Sequence, residues 1–184
     1  MLLEHGSARF RFLGENTFSY AGSSIALRSG ALLADWRIPG VLRLEGFDAK
    51  LRVSGKCVLF IQATTNGGLK IIGLAGRAII ETIHSGGRTI ELFPGELVFA
   101  KPLEKGFSDK LDVNLKTLVA TSALIHEFPD LGRLRRELAK AVLEQDVLIS
   151  KRYRAVVGDA RTPDTFDIRE LPPSQDGNET NSTD

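Results

Sequence analysis

His5, His84, His126 and Cys57 are the side chains whose types could hold a metal or carry a nucleophilic step, and their spacing serves neither. A metal site needs several imidazole, thiolate or carboxylate ligands converging, often two histidines four residues apart on one helix. Here the three histidines lie far apart, and a single cysteine makes neither a disulfide nor a cysteine cluster. Surface histidines account for all three. Cys57 opens the apolar run Cys57-Val58-Leu59-Phe60-Ile61, a strand context in which a thiol acts as a small buried hydrophobe. No G-x-S-x-G elbow is present. The stretch Gly68-Leu69-Lys70-Ile71-Ile72-Gly73 has the first spacing of a phosphate loop, but Leu74-Ala75 stand where the lysine and the hydroxyl are needed. Without that cation and that magnesium ligand it is a turn followed by a strand. Paired carboxylates could serve glycoside hydrolysis, with Glu45 and Asp48 or Glu91 and Glu96 as candidates, though acids at strand ends are commonly just solvated. No catalytic, metal-ligating or cofactor-binding residue is assigned, and the expectation is a chain that is not an enzyme.

Those residues sit on short strands. From Arg9 to Lys101 apolar runs alternate with turn signals: Ile25 and Leu27, Ala31-Leu32-Leu33, Val41 to Glu45, Leu51 to Val53, Cys57 to Ile61, Leu69 to Leu74, Ala78 to Ile83, Thr89 to Leu92, and Glu96 to Phe99. Asn66-Gly67-Gly68 and Ser85-Gly86-Gly87 read as exposed turns, and loops on a rigid scaffold are where recognition is commonly placed. Asn66, Gly67, Gly68, Ser85, Gly86 and Gly87 are therefore the candidate recognition residues. Val53-Ser54-Gly55, Leu74-Ala75-Gly76 and Phe93-Pro94-Gly95 form a loose repeat, with glycines 21 and 19 residues apart. Glycine turns the chain where a side chain would clash. The spacing fits one coil of a β-solenoid or successive hairpins of a sandwich equally well.

Beyond Pro102 the period changes. Leu111, Leu115, Leu118, Val119 and Ser122 share a helical face, with Asp109 or Asp112 as N-cap, and Pro129 ends that helix. Asp130 caps a second, with Leu131, Leu134, Leu138, Val142 and Val147 in phase. Two such helices would cover an open end or edge of the β unit. Residues 133 to 154 hold seven bases against three acids, which reads as a solvated face in the absence of interleaved aromatics. Residues 159 to 184 carry seven acids and two bases with Pro172-Pro173, too polar to form a core, and read as a flexible tail in which Thr165-Phe166-Asp167-Ile168 could dock. The expected division is a β domain over 8–101, a helical extension over 109–154 and an acidic tail over 158–184. A net charge of +1 gives no general attraction to nucleic acid, and no run of 18 apolar residues is present to span a bilayer. Met1-Leu2-Leu3-Glu4-His5 lacks the zones of a signal peptide, which leaves a cytoplasmic chain or a leader lying elsewhere.

Val53-Ser54-Gly55-Lys56-Cys57, Leu74-Ala75-Gly76 and Leu92-Phe93-Pro94-Gly95-Glu96 resemble the V-x-G-T-x-F, L-x-G and L-x-P-G-[QE] segments of the FecR-type domain family. Leu111 to Ile125 is similar to a helix that follows such domains in some bacterial proteins. The resemblance implies a mainly β unit, a twisted solenoid-like or sandwich domain with one or two C-terminal helices, without catalytic residues or cofactor. It implies a sensing or binding module of the bacterial cell envelope, periplasmic or otherwise extracytoplasmic, with a protein partner such as an envelope receptor or regulator, or a glycan. Nucleic acid is not an expected partner. The alternatives are a structural protein assembled through its strand edges and, more weakly, a carbohydrate-active enzyme on a β-helix.

Overall fold

A computed structural model describes residues 1–5, 8–12, 14–37, 40–83, 87–102, 106–126 and 132–149, together with the backbone of 155–157 and 168–170. The fold is mainly β. The strands are β1 (Leu2–His5), β2 (Ala8–Phe12), β3 (Thr17–Ala21), β4 (Ser24–Ser29), β5 (Ala31–Trp36), β6 (Val41–Glu45), β7 (Lys50–Ser54), β8 (Cys57–Ala63), β9 (Leu69–Gly76), β10 (Ala78–Thr82), β11 (Thr89–Leu92), β12 (Glu96–Ala100) and β13 (Leu111–Asp112). The helices are α1 (Leu115–Thr121), α2 (Ala123–His126) and α3 (Gly132–Ile149), and β14 (Ala155–Val157) pairs with β15 (Ile168–Glu170). A seven-stranded sheet runs β1-β2-β5-β8-β9-β12-β13, and a six-stranded sheet runs β11-β10-β7-β6-β4-β3.

The chain crosses between the two sheets every one or two strands, so both grow together. Among the described pairings β4 with β6 is parallel and the rest are antiparallel. A stacked solenoid makes parallel neighbours, whereas hairpins and crossings between two sheets make these, so the described architecture is a two-sheet sandwich. The glycine repeat is real but marks a different corner. Gly55, Gly76 and Gly95 all have positive φ and stand at one end of the sandwich, where the chain passes from one sheet to the other. A Cβ on Gly76 would lie 2.1 Å from the Lys56 carbonyl oxygen, and one on Gly55 would lie 2.4 Å from that of Arg77. The two corners pass too closely for any side chain.

One core lies between the sheets. Phe10, Leu32, Trp36, Leu59 and Ile71 from the larger sheet meet Ile25, Leu42, Leu51, Val53 and Ile80 from the smaller. The outer face of the smaller sheet is solvated, with β6 and β7 alternating buried and exposed residues. The larger sheet has no such alternation: β8 and β9 are buried on both faces. Its second face carries Val58, Phe60, Ile72, Leu74 and Leu97, covered by Leu115, Leu118, Leu124, Ile125, Leu134 and Leu138. The helices thus form a third layer over a sheet face, not a plug over an end or edge.

Three helical details differ from the expectation. Asn114, not Asp109 or Asp112, caps α1, its side chain accepting from the Thr117 N–H at 2.9 Å. Asp112 and Leu111 are held in β13 by pairing with Glu96 and Leu97. Val147 is exposed, while Ala141 and Gln145 complete the buried face of α3. Pro129, Asp130 and Leu131 lie outside the described residues, as does the acidic tail apart from β15. The described helices include none long and apolar enough to cross a membrane.

Candidate binding surface

The turn between β8 and β9 is built by its own side chain. Thr64 donates its N–H to the Gly68 carbonyl at 3.0 Å, and Gly67 returns an N–H to the Thr64 carbonyl at 3.0 Å. The Asn66 side-chain oxygen accepts from the Thr64 hydroxyl at 2.6 Å and from the Gly68 N–H at 3.2 Å, the local bonding that suits asparagine to turns. The Asp48 N–H donates to the Gly67 carbonyl at 3.0 Å and fastens the turn to the β6–β7 loop. Gly68 is buried, and a Cβ there would lie 2.5 Å from the Ala100 carbonyl oxygen. Gly67 and Gly68 therefore hold the turn in place, and Asn66 alone of the three is exposed.

Beside this turn opens a cleft of about 440 Å³ lined by Thr64, Asn66, Phe99, Lys101, Pro102 and Ser108. The pairing of β9 with β12, which sets Ala100 opposite Leu69, brings the two segments together. Ser108 closes one wall: its hydroxyl accepts from the Phe99 N–H at 3.0 Å and donates to the Asp109 carbonyl at 2.8 Å. These oxygens are spent on the protein itself. The polar capacity left for a ligand lies in the Asn66 amide nitrogen and the Lys101 ammonium, which make no hydrogen bond or ion pair among the described residues. Both are donors. With Phe99 and Pro102 beside them, the cleft suits a ligand that presents carbonyl or carboxylate oxygens next to apolar surface.

The strand that leads into the second predicted turn reaches the same end. Ile83 donates its N–H to the Lys50 carbonyl at 2.8 Å, next to the loop that holds Gly67. Gly87 is exposed; Ser85 and Gly86 fall outside the described residues. The turn at Asn66 is legible in the sequence, whereas Phe99, Lys101 and Ser108 join it only in the fold, because nothing local links residues 99–108 to 64–68. Pro102 after an apolar strand marked only the strand's end.

A second cleft, about 420 Å³, lies at the opposite end between α3 and the glycine corners, with Arg37, Gly76, Pro94, Glu137, Lys140 and Glu144 around it. Its charges are satisfied internally. Arg37 pairs with Asp35 and Glu137, Arg133 reaches Glu137 at 3.2 Å, and Lys140 lies 3.6 Å from Glu144. Burial works against the Glu137 charge, but the Arg37 guanidinium, helped by Arg133, outweighs it and holds the carboxyl below its ordinary range. This cluster fastens α3 rather than receiving a ligand. Nearby, burial pushes the Cys57 thiol up to about 12, so it is neutral and unreactive at ordinary pH.

The candidate carboxylates are not brought into one site. Glu91 pairs with Arg77, and Glu96 accepts from Lys110 at 3.0 Å and from the Phe93 N–H at 2.8 Å. Glu45 and Asp48 belong to the β6–β7 hairpin at the other end. Among the described residues no group of three histidine, cysteine or acidic side chains is placed to hold a metal.

No family model and no curated protein matches this chain. Among solved structures it is similar to two crystal structures of candidate anti-sigma factors from Parabacteroides distasonis. The first is 8% identical with a TM-score of 0.45, covering 87% of this chain and 94% of that one. The second is 10% identical with a TM-score of 0.38, covering 82% and 83%. Likeness at this level carries no argument about what this chain does.

Proposed function

We propose that this chain is a non-enzymatic, FecR-like binding or sensing module of the bacterial cell envelope that captures a protein partner at the loop-end cleft. One observation carries the reading. A cleft with two donors unspent among the described residues, Asn66 and Lys101, is held on a turn fixed by five backbone and side-chain hydrogen bonds between strands buried on both faces. Rigid scaffolding of this kind lowers the ordering cost of binding. The segments that carry the family resemblance support it from the other end, since Gly55, Gly76 and Gly95 are the corners that let the strands close over one core. An extracytoplasmic location and a role in signalling are part of the same proposal and rest on that resemblance. The donor character of the cleft favours a segment of protein main chain or an acidic side chain over a cationic ligand.

The test is site-specific photo-cross-linking in the cells that express the protein. A photoreactive residue replacing Thr65, exposed on the cleft rim, should give one discrete protein adduct. The same residue replacing Arg52, on the solvated sheet face, should not give it, and Lys101→Glu should remove it. Equal adducts from both positions, or none from Thr65, would contradict the proposal.

A further inference from the structure

The two large sheets have four described edge strands: β1 and β13 of the larger sheet, β11 and β3 of the smaller. An unpaired edge offers backbone donors and acceptors to any strand that arrives, and proteins blunt it with charge, brevity or cover. Three of the four are blunted. β1 carries Glu4, paired with Arg9 at 3.0 Å, and His5. β13 is two residues long and has β14 against it. β11 holds Glu91, paired with Arg77. β3, Thr-Phe-Ser-Tyr-Ala, has no charge and no proline, and its one irregularity is confined to the Thr17/Phe18 step.

The strand is rigid on its inner side. Phe18 stacks on Phe12 with ring centroids 4.0 Å apart, and Tyr20 packs against Phe10 at 6.1 Å and His5 at 6.3 Å. Thr17, Ser19 and Ala21 are small, uncharged and exposed. The same side of the molecule carries β1, whose Leu2 is 46% exposed. Among the described residues the buried Tyr20 hydroxyl has no hydrogen-bond partner, an arrangement that costs free energy until one is supplied.

We infer that β3 pairs with β3 of a second copy of this chain, antiparallel about a two-fold axis at Ser19, joining the two six-stranded sheets into one. The pattern is self-complementary. About Ser19, Thr17 meets Ala21 and Phe18 meets Tyr20, so two cross-strand aromatic pairs form on the inner face. One residue further on each side, Asn16 meets Gly22 and Glu15 meets Ser23, so no like charges face each other. The union is closed and isologous, using up the unblunted edge of the smaller sheet. A single five-residue pairing with β1 beside it buries less than the roughly 1,000 Å² of a permanent interface, so the dimer depends on concentration.

Sedimentation of the full chain from about 1 µM to 500 µM tests this without any other ligand. The wild type should pass from monomer to dimer within that range. Ser19→Lys sets two lysines opposite each other at the axis and should stay monomeric with an unchanged melting temperature, as should Ser19→Glu alone. An equimolar mixture of the two should dimerise again, lysine facing glutamate. A wild type that stays monomeric throughout overturns the inference. So does a Ser19→Lys variant that still dimerises, or a mixture that shows no recovery.

Discussion

Gln145 ties the helical layer to the larger sheet through one amide. Buried on α3, it accepts from the Leu115 N–H at 2.8 Å and donates to the Val113 carbonyl at 2.6 Å, supplying the start of α1 and the end of β13 with the partners a neighbouring strand would otherwise provide. Replacing it with leucine keeps the volume but leaves two buried main-chain groups unpaired, at about 1–3 kcal/mol each. We expect Gln145→Leu to lose about 2–4 kcal/mol by denaturant titration; a loss near zero would mean that water satisfies both groups. Gly95 belongs to the same contact, because a Cβ there would lie 2.1 Å from the Gln145 amide nitrogen. Gly95→Ala should therefore cost less in a Gln145→Ala background than in the wild type, a non-additivity that a double-mutant cycle reads directly. Cys57 adds a dependence on alkali. Burial raises its folded pKa from 9.0 to about 12, so the unfolded chain gives up the thiol proton first. That contribution is fully present below pH 9 and is lost as pH rises toward 12. Cys57→Ala should flatten this part of the stability profile, and the thiol of the wild type should react with a disulfide reagent only on unfolding.

At the level of elements, the helical layer and the larger sheet depend on each other. Phe60, Ile72, Leu74 and Leu97 are buried only because α1, α2 and α3 cover them. Leu138→Ala should cost about 2–5 kcal/mol, the range for large-to-small changes in a packed core, measured by thermal or denaturant unfolding. A chain ending at Lys110 should bind a hydrophobic dye and aggregate, since it would expose that whole face; a monomeric, dye-silent fragment would contradict the layer assignment. The near end of α3 is held by Arg37 and Glu137, partly shielded at 16% and 30% side-chain exposure. The Glu137 carboxyl lies below its ordinary range in the folded state, so its contribution is present above the unfolded carboxyl pKa and lost as pH falls through the folded one. Amides of α3 should exchange faster in acid, and Glu137→Gln should remove that dependence. Much of this was legible in the residues. The corners at Gly55, Gly76 and Gly95 and the runs from Ile25 to Phe99 read correctly as strands, because glycine placement and aliphatic density are local signals. β3 was missed, since Thr17 to Ala21 has aromatics but no aliphatic side chain larger than alanine. The helices were found, but their seat was not. The clue lay in β8 and β9, where apolar residues occupy consecutive positions and so must be buried on both faces.

For the whole molecule, the alternation of the chain between sheets makes the sandwich one cooperative object: neither sheet can be completed before the other. Trp36, the single tryptophan, reports the core between the sheets, and the far-ultraviolet helical signal reports the third layer. The two should disappear in one transition at the same denaturant concentration. Glycine spacing alone could not separate solenoid from sandwich, because a return trip of about twenty residues is the same length in both; the direction of neighbouring strands decides it. Nor could it reveal the cleft, which exists only because β9 pairs with β12 and sets Lys101 beside Asn66. The most direct test of that cleft as the binding surface is amide hydrogen exchange, with and without the partner identified by cross-linking at Thr65. We expect new protection at 64–69, 98–102 and 106–108, with 41–45 and 50–54 unchanged. Protection confined to the solvated face of the smaller sheet, or to α3, would contradict it.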